Sequence, residues 1–179
     1  QAQRRLDDHA HNQNRAYPVS NFIGSSHAAS EVRDVLNRLI NVSISALIIG
    51  GETGTGKGLV ARILHNSGPR YKEPLVEVNC AALPRELLES ELFGHEAGAF
   101  TGAKQKRRGL IQQADGGTLF LDELAEMHID LQSKLLKVIE DQRVRPLGSD
   151  KEMSVDVQII AASNRNLTER IAAGEFRSD

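Results

Sequence analysis

Cysteine is nearly absent from this sequence: Cys80 is the one thiol in 179 residues. A lone thiol cannot close an internal disulfide, so a disulfide scaffold is excluded and a reducing, cytoplasmic setting is the expectation. No apolar run approaches the roughly 18 residues that a membrane-spanning helix needs, no signal peptide is visible, and no membrane partner is expected. Neither sign of charge is in surplus. Lys+Arg number 22 against 24 Asp+Glu, a net charge of −2, which excludes bulk electrostatic binding of nucleic acid. Internal repeats and low-complexity tracts are also missing, so collagen-like and solenoid architectures fall away. What remains is ordinary globular composition, 40% hydrophobic and 26% charged, in a chain long enough to bury roughly 70% of its unfolded surface.

Residues 1–20 are polar and unpatterned and read as a linker or an extension from a preceding domain. From residue 21 to 179 the pattern alternates between helical and strand periodicity. Val32, Val35, Leu36, Leu39 and Ile40 recur at helical spacing, with Ser30 placed as the cap. Ala46-Leu47-Ile48-Ile49 reads as a buried strand, Val60, Ile63 and Leu64 as a helix face, and Leu75–Val78 as a second strand. Pro84 suits the first turn of a helix carrying Leu87, Leu88 and Leu92. Thr118–Leu121 forms a third strand, and Asp130 is placed to cap a helix holding Leu131, Leu135 and Val138. Val155–Ala162 supplies a fourth strand, and Thr168 opens a short helix that Gly174 closes. Apolar strands alternating with helices predict an α/β fold: a central parallel sheet flanked by helices in three layers. The chain starts at Gln1 and ends in Phe-Arg-Ser-Asp, and an excised piece of a longer protein is the expectation.

Gly51-Glu52-Thr53-Gly54-Thr55-Gly56-Lys57-Gly58 lies between a strand and a helix. Glycines let successive N–H groups turn inward as an anion cradle; the helix start adds partial positive charge, and Lys57 adds a full one for the outer phosphates. Gly58 stands where Ser or Thr usually follows the lysine. Asp122 and Glu123 end the third strand, the edge at which open parallel sheets bind ligands. Asp122 is placed to hold Mg²⁺ and Glu123 to polarise the water that attacks a γ-phosphate. Asn79 and Asn164 fall at equivalent strand ends, where an amide either caps a turn or orients the catalytic groups. Gly98-Ala99-Phe100-Thr101-Gly102-Ala103 sets one phenylalanine among small residues, which suggests a loop whose aromatic tip engages a partner. The cluster Lys104, Lys106, Arg107 and Arg108 that follows is either a solvated basic loop or a contact for an acidic partner.

Together GETGTGKG, ELFGHEAGAFTGA, GGTLFLDE and AASNRNL resemble the AAA+ domain of sigma-54-dependent transcription activators, the bacterial enhancer-binding proteins. The resemblance runs from about Phe22 to Asp179, and the GAFTGA hexapeptide is its most specific part. It implies a P-loop ATPase that uses ATP and Mg²⁺, assembles as a ring, usually a hexamer, and remodels sigma-54 RNA polymerase holoenzyme. By the same resemblance Gly98–Ala103 contacts sigma-54, with Phe100 and Thr101 at the tip. Asn79 matches a switch asparagine that restrains the catalytic glutamate, and Asn164 a γ-phosphate sensor. Ile23 and Gly24 match the adenine pocket, and Arg177 matches an arginine finger that reaches a neighbouring subunit's nucleotide. The helical lid and an enhancer-DNA-binding domain would lie outside this chain. Gly58, Ser163 and Asn166 depart from the family pattern, and Gly58 removes any side chain that could help place the metal. A nucleotide-gated DNA-binding regulator with weak or absent hydrolysis is the alternative reading.

Overall fold

The computed structural model describes residues 17–179; the expected linker at residues 1–20 falls almost wholly outside the described residues. In chain order the elements are α1 (His27–Leu39), β1 (Ala46–Gly50), α2 (Lys57–Ser67), β2 (Leu75–Asn79) and α3 (Arg85–Phe93). Next come β3 (Gly94–His95), β4 (Arg107–Arg108), α4 (Leu110–Gln113), β5 (Thr118–Asp122) and α5 (Ile129–Asp141). The series ends with β6 (Arg143–Val144), β7 (Met153–Ser154), β8 (Gln158–Ser163) and α6 (Leu167–Ala172). β1, β8, β5 and β2 form, in that order, a four-stranded sheet whose pairs are all parallel.

Strand alternation divides the core. Leu119 and Leu121 of β5, with Ile159 and Ala161 of β8, face α3, α4 and α5; Phe120, Ile160 and Ala162 face α1 and α2. Only the two central strands are buried along most of their length. β1 is an edge strand: Leu47 and Ile49 pack inward while Ile48 is 51% exposed. The expectation of a strand buried on both faces therefore fails for β1, because it has one neighbour in the sheet and an open groove lies between Ile48 and Leu135, Leu136 and Ile139 of α5.

The helix starts also differ from the sequence reading. Ser26, not Ser30, caps α1 by accepting from Ala29 N–H. His128 occupies the cap position of α5 and leaves Asp130 in the first turn, where its charge still favours the helix dipole. Asn166 caps α6 ahead of Thr168, Pro84 caps α3 from just outside, and Gly174 follows α6 in the left-handed conformation. The fourth strand begins at Gln158, three residues later than its apolar pattern suggests, because Val155 and Val157 are buried before sheet pairing starts. Two small antiparallel pairs, β3–β4 and β6–β7, have too few residues to leave a periodic signal in the sequence.

Candidate functional site

The C-terminal edge of the sheet collects most of the residues singled out for chemistry. Gly54 and Gly56 take φ values of 85° and 90°, left-handed geometry that a side chain would strain. That geometry turns the loop into the start of α2, whose first amides lack carbonyl partners of their own. Thr55 Oγ1 donates to Glu52 O at 2.8 Å and pins the loop from within. Lys57 is buried, and its Nζ donates to the carbonyls of Gly51 and Glu52 at 2.8 Å each, so the cation sits inside its own loop. Gly58 leaves its position open: a β-carbon there would meet Phe120 Cε1 at an ordinary 3.9 Å.

Asp122 pairs in register with Asn79 across β5 and β2. Its Oδ1 accepts from Glu123 N–H at 2.9 Å, and Glu123 itself lies at φ 54°, a left-handed value for a residue with a side chain. Non-glycine residues held in that region cost energy and cluster at working sites. Neither carboxylate has a cationic partner among the described residues. Burial together with the two carboxylates pushes the neighbouring Cys80 thiol up to about 12, so it stays protonated and inert. Asn164 follows β8 and donates from Nδ2 to Thr53 Oγ1 at 3.1 Å, joining the loop to the strand end. Its Oδ1 is buried with no partner among the described residues. Gly50–Glu52 and Ser163–Leu167 line a cleft of about 430 Å³ at this seam. Half-buried carboxylates without a cationic partner among the described residues and an unpaired amide oxygen are the hard donors that a hydrated divalent cation takes, so the residues present fit Mg²⁺.

Asn79 is beside Asp122, and its Oδ1 accepts from Ala81 N–H at 2.8 Å, which fixes the turn after β2 and leaves Nδ2 as its donor toward the carboxylates. Ile23 stands 90% exposed, and Phe22 before it reaches the glycine loop, 3.8 Å from where a Gly56 β-carbon would sit. Arg177 is not brought to the loop. Its guanidinium grips both oxygens of Asp179 at 2.8 and 2.6 Å and donates to Ser133 Oγ at 3.1 Å, holding the Asp179 carboxyl below its usual range. It lines a groove with Ala46–Ile48 of β1 instead.

Gly98–Ala103 form a tight loop, not part of a helix, closed where Gly98 N–H donates to Ala103 O at 2.7 Å. Ala103 is buried at its root and Phe100 is 42% exposed at its tip. The Phe100 ring meets His95 edge-on at 5.0 Å, and His95 Nδ1 is 2.7 Å from Ser90 Oγ on α3. The β6–β7 connection props the loop: Leu147 exchanges backbone bonds with Gly94 and Glu96, and a side chain at Gly148 would fall 2.8 Å from Ala99 Cβ. Sequence reasoning missed this prop, because nothing in the run Pro146–Ser149 marks it beyond one glycine. The basic cluster is largely spent internally: Lys106 pairs with Glu96, Arg107 with Glu91, and Arg108 with the Gln112 carbonyl.

A parallel sheet with helices on both faces, and a glycine loop leading from β1 into α2, define a P-loop NTPase of the AAA+ kind. The Sigma-54 interaction domain model matches residues 22–179, so the chain belongs to that family. It is 50% identical over 162 residues to the DNA-binding transcriptional regulator NtrC of Escherichia coli K12, covering 90% of this chain and 34% of that protein. NtrX from Brucella abortus superposes with a TM-score of 0.80 at 37% identity, over 88% of this chain and 35% of NtrX. The same protein in complex with ATP gives 0.78 at 38% identity, over 88% and 33%. The chain therefore spans about a third of the relatives it matches.

Proposed function

We propose that this chain is the ATP-hydrolysing motor of a sigma-54-dependent transcription activator, coupling the γ-phosphate state to a loop that grips sigma-54 RNA polymerase holoenzyme. The observation that carries the reading is one sheet edge holding the Gly51–Lys57 cradle, the Asp122–Glu123 pair and the unpaired Oδ1 of Asn164. NtrX, a relative of matching fold, has been solved in complex with ATP. On binding, Lys57 exchanges the Gly51 and Glu52 carbonyls for phosphate oxygens, while the loop amides hold the phosphates. Mg²⁺, held by Asp122, would neutralise charge on the phosphates. Glu123 orients the attacking water and takes its proton, and Asn164 reads the γ-phosphate. Asn79 would restrain Glu123 by donating from Nδ2 to the carboxylate while its Oδ1 keeps the Ala81 N–H.

Residues 21–179 would then be the ATPase core of a cytoplasmic bacterial regulator, whose enhancer DNA contacts belong to a domain outside this chain. Arg177 would complete a neighbour's site in a ring after releasing Asp179, and Phe100 and Thr101 would touch sigma-54 at the loop tip. The Gly58 backbone favours one competing reading, a nucleotide-gated regulator without turnover, since no hydroxyl there helps to place a metal.

ATP turnover measured against protein concentration, with Glu123→Gln as the blank, separates the two. The experiment uses a chain extended through the expected lid. Specific activity that climbs with concentration is the expected outcome and fits sites shared between copies. Nucleotide binding with turnover no higher than the blank overturns the motor reading.

A further inference from the structure

We infer that Arg33 is a positioning residue for the base end of the nucleotide: it sets the strap Phe22–Gly24 so that the Ile23 backbone can read an adenine edge. The inference rests on the nucleotide reading above and extends it to a residue on a different element. Arg33 projects from α1, and its Nη1 donates to two carbonyls of the strap, Phe22 O at 3.1 Å and Gly24 O at 2.8 Å. One guanidinium nitrogen thus binds the carbonyls on both sides of Ile23. Hydrogen bonds from a charged donor are stronger and shorter than neutral ones, and a planar guanidinium loses little freedom in making them.

The strap's place in the fold gives this a purpose. Phe22 reaches Gly56, the residue at which the glycine loop becomes α2, so the strap adjoins the phosphate cradle. Ile23 is the most exposed large apolar side chain of the described residues, at 90%. With the carbonyls of residues 22 and 24 bound by Arg33, the Ile23 N–H and C=O are left without partners among the described residues. A donor and an acceptor on one residue match the acceptor N1 and the donor N6 of adenine, whereas guanine offers the reverse pair at those positions. The exposed Ile23 side chain supplies apolar cover for a purine face.

The test uses the 179-residue chain and three displacing ligands, ATP, GTP and inorganic tripolyphosphate, against a fluorescent ATP analogue. Arg33→Ala should weaken ATP about ten-fold, the scale of one charged hydrogen bond, and bring ATP close to GTP, while tripolyphosphate affinity stays at the wild-type value. Arg33→Lys should recover part of the loss, because an ammonium keeps the charge and can donate to both carbonyls but lacks the planar guanidinium's fixed geometry. Equal weakening of ATP and tripolyphosphate would mean that Arg33 merely stabilises α1, and unchanged ATP affinity would also sink the inference. If the wild-type chain binds none of the three, the nucleotide reading itself fails, whatever the variants do.

Discussion

The two ends of the same sheet are built on opposite terms. At the N-terminal end, polar groups are paired to completion. Arg70 donates to the carbonyls of Gly116, Gly117 and Asp156 and to the Asp156 carboxylate. Buried His65 on α2 meets Thr118 on β5, Thr118 donates to Gln158 on β8, and Gln158 donates to the Ile44 carbonyl ahead of β1. Three strands and a helix are laced there. At the C-terminal end, by contrast, Asp122 and Glu123 lack cationic partners and Asn164 Oδ1 is buried without a partner among the described residues, while Glu123 is held at positive φ. Buried polar groups left unpaired cost stability and are rare in native folds. The difference shows where this fold spends stability: the laced end fixes strand register so that the unpaired end can keep its geometry before any ligand arrives.

Breaking the laced end should give the largest effect. Arg70→Ala takes a charged donor from three carbonyls near the starts of β5 and β8; Gly117 O and Asp156 O keep backbone donors while Gly116 O loses its partner, and we expect a loss of about 2–3 kcal/mol in urea unfolding. ATP affinity measured well below the unfolding midpoint should be nearly unchanged, since Arg70 contacts no part of the glycine loop. A variant that unfolds normally but loses ATP binding would collapse the distinction between the two ends.

The unpaired end was far more legible in the sequence than the laced one, and the reason is chemical. Glycines at 54 and 56, a lysine at 57 and two carboxylates after an apolar strand are residue types that few other demands explain together. Arg70, His65, Thr118 and Gln158 are unremarkable as letters, and their partners are mostly carbonyls, which every residue carries. The same holds for the Leu147–Gly148 prop beneath the GAFTGA loop and for Arg33 behind the strap. Central strands were recognisable because both faces are apolar, but β1 has equally apolar residues and still lies at an edge, since pairing order leaves no mark on a single strand. Helix starts slipped by two to four residues wherever a neighbouring polar residue competed for the cap, as Ser26 did with Ser30 and His128 with Asp130.

A milder way to load the laced end is acid. Burial lowers the pKa of His65, so the folded chain holds the imidazole neutral. Because the Thr118 hydroxyl donates to Gln158, it accepts from the His65 Nδ1–H, which fixes the tautomer. The unfolded chain, with its ordinary value of about 6.5, takes up a proton as the pH falls below that point while the fold refuses it. Stability from this group is therefore complete above about 6.5 and declines as the pH drops below it toward the depressed folded value. Denaturant midpoints recorded across that range should show the decline in the wild type. In His65→Gln the slope should be shallower from a lower starting stability, and an identical slope would remove His65 from the laced network.

The smallest effect, and the sharpest for the comparison, belongs to Gly58 at the functional end. A glycine in the first turn of α2 costs about 0.5–1 kcal/mol relative to alanine, and the 3.9 Å approach to Phe120 leaves room for a β-carbon. Gly58→Ala should therefore raise the urea midpoint slightly while ATP turnover stays where it was. Gly58→Ser adds a hydroxyl at the same place and should raise turnover as well, because an oxygen there can help hold a phosphate-bound cation. If alanine alone raises turnover as much as serine, the missing hydroxyl is irrelevant. The freedom of the loop-to-helix joint would then be what limits the chemistry, and the unpaired end would be constrained by its backbone rather than by its donors.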